Sequence, residues 1–161
     1  LTFEEMNTIL CQIEACLNSR PLTALSCDPN DLNCLTPGHF LIGEPITTVP
    51  QVDVLTIPMN QLSRWQLVQK LTQQFWKRWS SEYLSRLQQR PKWCKKYTNV
   101  KVDDLVLIKE DNLPPLKWKL GRVTEVHPGT DNIVRTITIK TKDGTYKRPI
   151  VKISPLPWDS E

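Results

Sequence analysis

Glycine and histidine are scarce in this chain: five glycines in 161 residues, and His39 and His127 alone among histidines. No Gly-rich phosphate loop, G-x-S-x-G or H-E-x-x-H pattern occurs, so the common phosphate-loop, serine-hydrolase and zinc-protease signatures are missing. No apolar run reaches the length of about 18 residues that a spanning helix needs, which excludes a membrane helix. The chain opens on Glu4 and Glu5 with no basic start, unlike a signal peptide. It begins at Leu1 with helical signal at once, so it is expected to be a piece of something longer. The five cysteines, at 11, 16, 27, 34 and 94, are odd in number and include no C-x-x-C. That pattern argues against a disulfide scaffold or a structural zinc and suits a reducing compartment.

Acid is what the middle of the chain lacks. Residues 60–101 carry ten basic groups and one acid, Glu82, for a charge of +9. Residues 1–59 carry seven acids and one base, Arg20, and residues 102–161 carry ten bases and nine acids. The net charge of +4 therefore hides a basic block of the kind that suits a polyanion, nucleic acid first. The plain alternative is that these charges solvate one face of a helix.

Inside that block, Leu62 to Arg90 runs without Pro or Gly and holds Trp65, Trp76 and Trp79, three of six tryptophans. Trp65, Val68, Thr72, Phe75, Trp79 and Tyr83 recur at steps of three or four and fall on one side of a helix. Gln66, Lys70, Gln73, Gln74, Lys77, Ser81 and Gln88 fall on the other, the expected solvent side. Ser63 is the expected N-cap and Pro91 the stop. The aromatic side is expected to bury itself in a core or against another subunit.

Ahead of it, Thr2 and Glu5 form a capping box that starts a helix running to about Asn18 and ending at Arg20-Pro21. Its apolar stripe (Phe3, Met6, Ile9, Leu10, Ile13, Cys16, Leu17) expects a partner layer upstream of residue 1. Residues 22–35 read as loop, Thr36-Pro37 starts a short helix closed by Gly43, and Pro45 to Pro58 reads as an extended linker. After the basic, aromatic connector Pro91–Tyr97 the period changes to two. Asp104–Lys109, Lys117–His127, Ile133–Thr141, Tyr146–Ile150 and Val151–Ile153 read as strands, with Asp143-Gly144 as a hairpin signal. Ile133, Ile137 and Ile139 are expected to share a face. Five short strands in so few residues suggest a small closed barrel of SH3-like size. The expected class is α+β.

The acids make no catalytic set. Glu4 and Glu5 point apart on a helix, Glu14 has no acid at i+3 or i+4, and Asp103-Asp104 reads as the surface start of a strand, whereas two-metal chemistry needs converging carboxylates. Nothing orients a Cys–His pair either. For binding, the phosphate-contact candidates are Arg64, Lys70, Lys77, Arg78, Lys92, Lys95 and Lys96 on the helix and connector. Lys117, Lys119, Arg122, Lys147 and Arg148 form a second stripe on the strands. Arg135 shares strand parity with Ile137 and Ile139, so it sits at an open end or pairs with an acid. Trp93 and Tyr97 either stack on nucleic acid or seal the joint between helix and barrel.

Several stretches together resemble the integrase of Bel/Pao-type LTR retrotransposons. Leu17-Asn18-Ser19-Arg20-Pro21-Leu22 resembles the end of the last long helix of that family's catalytic core, and Leu35 to Gly43 (LTPGHFLIG) its closing motif. Arg64-Trp65, Phe75 to Trp79 and Tyr83-Leu84 are similar to the helical region that follows the core. Leu105 to Ile108, Pro114 to Trp118 and Gly121-Arg122-Val123 resemble the C-terminal barrel. Where the family often has Gly before the Asp-Leu-Val strand, this chain has Asp103.

The resemblance implies residues 1–44 as the end of a ribonuclease-H-like core and 45–61 as a linker. It implies 62–97 as a long basic helix with its connector and 98–157 as an SH3-like β-barrel. It also implies that the metal-binding carboxylates, which use Mg or Mn, lie upstream, so that no residue here is catalytic and no cofactor is held in this chain. The implied partners are double-stranded DNA, the upstream core and a second copy through the long helix, with no membrane, in the nucleus. A protein-interaction module and an inactive decayed copy are the alternatives.

Overall fold

The computed structural model describes residues 1–88 and 100–157. Its contacts divide the chain into two units that interleave along the sequence. The first takes Leu1–Arg20, Thr36–Ser81 and Asn112–Lys117; the second takes Pro21–Leu35, Glu82–Asp111 and Trp118–Glu161.

In the first unit, helix α1 (Phe3–Asn18) starts at the expected box: the Glu5 amide donates to Thr2 Oγ1 at 3.3 Å, and the Thr2 amide donates to Glu5 Oε2 at 2.8 Å. Ile9 and Cys16 are buried, while Phe3, Met6 and Leu10 are exposed. A short helix α2 (Pro37–Ile42) follows, closed by Gly43 at φ 79°, a left-handed position that glycine adopts without strain. The main element is α3 (Arg64–Leu87), whose residues up to Ser81 belong to this unit. Its N-terminus is boxed by Ser63 and Gln66, 2.9 and 3.3 Å apart in the two directions.

The buried stripe of α3 is rotated from the expected one. Val68, Thr72 and Trp76 are buried, but Trp65 is 55% exposed. Lys70 and Gln73, expected in solvent, are buried too. The reason is the segment ahead of α3, which has no ladder of its own to satisfy its backbone. Gln73 donates to Val52 O at 2.9 Å and accepts from the Val54 amide at 3.1 Å, and the Lys70 ammonium donates to Ile57 O. The extended stretch 45–58 is thus fastened along a polar stripe of the helix, with Val54 fully buried.

Two side-chain pairs tie α1 to α3. Thr72 Oγ1 donates to Gln12 Oε1 at 2.5 Å, and Arg64 donates to both Glu5 oxygens at 2.7 and 2.8 Å. The Arg64 hydrogen bond and then the Thr2 amide hold the Glu5 carboxyl down at about 2, against 4.5 ordinarily. A carboxyl with a lowered folded pKa stabilises above its unfolded value, and that contribution is lost as pH falls through about 2. Glu5 is therefore expected to remain ionised at about pH 3.5, and Arg64→Gln to return its midpoint toward the ordinary carboxylate range. A side-chain carbonyl titration by NMR checks this; equal midpoints in the two proteins would refute it.

The second unit is built on one antiparallel sheet of β3 (Leu105–Ile108), β4 (Leu120–Pro128), β5 (Val134–Thr141), β6 (Gly144–Pro149) and β7 (Ile153–Pro155), in the order β6-β5-β4-β3-β7. The expected closed barrel is not formed: among the described residues no ladder joins β6 to β7. The sheet is nonetheless strongly curled. Its two edge strands are separated by one 3-10 turn, Ile150–Lys152. A flat five-stranded sheet would be about 19 Å across, whereas such a turn advances only about 6 Å.

One face of the sheet buries Val106, Ile108, Val123, Ile137, Ile139 and Ile153. Register shifts after Val123 and His127 break the simple alternation, so Val134 is buried in the place expected for Ile133, which is exposed. The other face carries Leu105, Leu107 and Leu156, covered by Leu84 of α3 and by Ala24 of the 21–35 segment. Trp118, half-buried, packs against this face, edge-on to Tyr83 at 5.6 Å. The last turn of α3 is held by Ser154 Oγ, which donates to Leu84 O at 2.9 Å, and by Gln88, which donates to Val151 O and Ile153 O. Within 21–35, β1 (Thr23–Ala24) pairs antiparallel with β2 (Cys34–Leu35), where a loop was expected. Asp103, in the position where the resembled family often has Gly, lies at φ 74°, a left-handed region that Asp enters more easily than most residues.

Candidate nucleic-acid interface

Folding mixes the charge that the sequence keeps apart. The first unit holds six bases (Arg20, Arg64, Lys70, Lys77, Arg78, Lys117) and five acids (Glu4, Glu5, Glu14, Glu44, Asp53). The basic run of α3 therefore shares its unit with most of the acids of the first segment. Phosphate recognition requires a lysine or arginine whose charge reaches solvent unpaired. The nine candidates among the described residues differ in this respect.

In the first unit, Lys70 is buried on Ile57 O and does not reach solvent, while Arg64 pairs with Glu5 with its side chain 70% exposed. Lys77, Arg78 and Lys117 are exposed. In the second unit, Lys119 is held by Glu110 at 2.8 Å, with Asp143 at 3.8 Å, and the hydrogen bond to Glu110 raises its pKa. Arg122 is 5% exposed and donates only to backbone carbonyls. Lys147 is exposed, and Arg148 is half-buried with its guanidinium 5.4 Å from the Tyr146 ring centroid. Lys92, Lys95 and Lys96, with Trp93 and Tyr97, lie outside the described residues. Arg135 pairs with Asp131 at 2.6 and 3.0 Å, one of the two expected arrangements.

The hairpin β5–β6 adds two cations that parity reasoning passed over. Ile137 and Ile139 point into the core, so Thr138 and Lys140 stand on the opposite face. The register places Lys140 across from Thr145 and Thr138 across from Lys147, making Lys140 and Lys147 diagonal neighbours on one face. Lys142 is exposed in the turn between Thr141 and Gly144. Lys140 donates to Asn30 Oδ1 at 3.1 Å and forms no ion pair among the described residues, nor do Lys142 and Lys147. The signal was present in the sequence: once Ile137 and Ile139 are set inward and the turn is placed, Lys140 and Lys147 must share a side.

No group of three or more His, Cys, Asp or Glu among the described residues could hold a metal ion. Glu5 is occupied by Arg64 and Thr2, and Asp104 accepts from the Lys101 amide at 2.8 Å. No helix among the described residues is long and apolar enough to cross a membrane.

Residues 63–156 match the model of a family of unknown function, DUF5641. No curated protein and no solved structure matches the chain.

Proposed function

This chain belongs to DUF5641, a family of unknown function often found in retrotransposon-related proteins, and we propose from that membership that it is the non-catalytic, DNA-holding part of a Bel/Pao-type retrotransposon integrase. It binds duplex DNA through phosphates, without reading sequence, in the nucleus. The bond-breaking carboxylates and their Mg or Mn belong to an upstream core, and α3 supports assembly with a second copy.

The observation that carries this reading is the β5–β6 hairpin, which presents Lys140, Lys142 and Lys147 without an acidic partner among the described residues. Lys77 and Lys117 are secondary contacts on the first unit, and Lys92, Lys95 and Lys96 add charge from the segment between α3 and β3. Lys70, Lys119 and Arg122 drop out of the contact set because their charges are buried or already used, while the exposed Arg64, paired with Glu5, stays a secondary contact.

Three phosphate contacts give a log–log salt slope of about −2.7, or about a 40-fold loss of affinity between about 50 and 200 mM salt. Anisotropy with a labelled duplex is expected to show at least that slope, equally for unrelated sequences. Changing Lys140, Lys142 and Lys147 to Gln together should reduce the slope by about 2.7. An unchanged slope in the triple variant, or no binding at about 50 mM salt, defeats the hairpin assignment. Nicking of the duplex by the unaided chain with Mg or Mn would contradict the non-catalytic part.

A second reading, peptide binding, is favoured by β6 being an edge strand that could take an added strand. Salt separates the two, since a backbone ladder depends far less on counterion release than phosphate contacts do.

A further inference from the structure

We infer that residues 21–35 form a strap that completes the sheet domain from outside the family-matched stretch, and that Arg122 is the positioning residue that latches it. This goes beyond the DNA-binding reading, since it concerns what makes the sheet unit whole.

The family match begins at residue 63, yet the face of Leu105, Leu107 and Leu156 is closed in part by Ala24, Leu32 and Cys34 from the strap. The strap is ordered by its own bonds. Its strands pair Thr23 with Leu35 and Ala24 with Cys34. Asp31 accepts from Ser26 Oγ at 2.8 Å and from the Asn33 amide at 2.9 Å. Its first residues are tied down by Tyr83, whose hydroxyl donates to Pro21 O, and by Thr23 Oγ1, which donates to Pro157 O at 2.8 Å.

Its middle is held from the sheet by Arg122, with Lys140 donating to Asn30 Oδ1 beside it. Arg122 Nη2 donates to Ser26 O at 3.1 Å and to Asp31 O at 3.0 Å, while Nη1 donates to Asp103 O at 2.8 Å. The guanidinium is buried, hydrogen-bonds no carboxylate among the described residues, though it helps hold the nearby Asp31 carboxyl below its ordinary range, and its Nε finds no acceptor among them. A planar fork with five donors can bind three carbonyls in different directions at once, and a lysine ammonium on a longer stem cannot reproduce that fan. Arg122 therefore reads the path of the strap backbone rather than its side chains.

Cys34 supplies the readout. Burial raises its thiol pKa to about 11, and that of Cys16, in α1, to about 12. In the full chain, maleimide labelling followed peptide by peptide is expected to be slow at both. Arg122→Met should speed labelling of Cys34 by about tenfold or more and leave Cys16 slow, because opening is local. Arg122→Lys should rescue the slow rate only in part, and Thr23→Val, which frees one of the ties at the strap's start, should speed Cys34 by a smaller factor. If the Met variant does not fold, the Lys and Val variants decide by the same pattern. Unchanged Cys34 labelling in the variants that fold, or Cys34 and Cys16 rising together, overturns the latch. Duplex affinity measured in parallel keeps the two ideas apart, since slow Cys34 labelling beside absent DNA binding would count only against the DNA reading.

Discussion

Trp76→Ala is expected to lower the protection of the buried α3 amides around Val68 and Thr72 by about a hundredfold to a thousandfold, while Trp65→Ala changes it by less than about threefold. Trp76 is 3% exposed, lies 6.0 Å from the Trp79 ring, and donates its indole N–H to Leu113 O at 3.0 Å. Truncating so large a buried ring costs about 3–5 kcal/mol in transfer and cavity terms, and the abandoned carbonyl adds to that. Trp65, in contrast, is over half exposed. Helical periodicity alone makes Trp65 part of the buried stripe and does not single out Trp76. Hydrogen exchange on the two variants therefore tests the observed rotation of the helix directly. Equal losses of protection would favour the stripe expected from the spacing.

The contrast shows where local pattern carries and where it stops. The Thr2–Glu5 box, the Ser63 start of α3 and the first four strands are legible because each rests on neighbours a few residues apart, whereas Val151–Ile153, expected as the fifth, is mostly the 3-10 turn Ile150–Lys152, and the last strand is Ile153–Pro155. The burial face of α3 is not, because periodicity treats Lys70 and Gln73 as solvent-seeking. Their polar ends instead satisfy the backbone of residues 52–57, a demand that only appears once that segment lies on the helix. Arg122 is the same lesson at longer range. Its partners Ser26 and Asp31 are 96 and 91 residues away, and nothing in Gly-Arg-Val announces them. Barrel closure failed for a related reason: period-two runs count strands, but whether the first and last edges meet depends on the turn at Ile150–Lys152.

The basic block of the sequence and the hairpin cations that the fold groups together lie in different places. Counting charge along the chain pointed to α3, but α1 folds acids into the same unit and Glu5 captures Arg64. The unpaired cations of the hairpin owe their grouping to strand register, which converts Lys140 and Lys147 from residues seven apart into diagonal neighbours. A basic block in sequence is thus a poor measure of surface potential, because opposite charges far along the chain are free to return beside it.

Gly121→Ala tests the sheet that carries this hairpin, and is expected to destabilise it by about 1–3 kcal/mol. A Cβ built at Gly121 meets Ile139 Cγ2 at 2.3 Å, with Lys140 O and Thr141 Cγ2 both at 3.2 Å. Ile139 is fully buried, so it has no solvent to retreat into, and strands β4 and β5 would have to part locally. Ile139→Ala by itself removes the obstructing methyl at a cost of about 2–5 kcal/mol in lost packing. The double variant should be less damaged than the sum of the two by about 1–2 kcal/mol, since the new methyl then enters the space vacated by the old one. Denaturant titrations of the four proteins measure that coupling. Simple additivity would mean that the close approach of Gly121 to Ile139 is not what fixes the spacing of β4 and β5, and that the register bringing Lys140 beside Lys147 is set elsewhere.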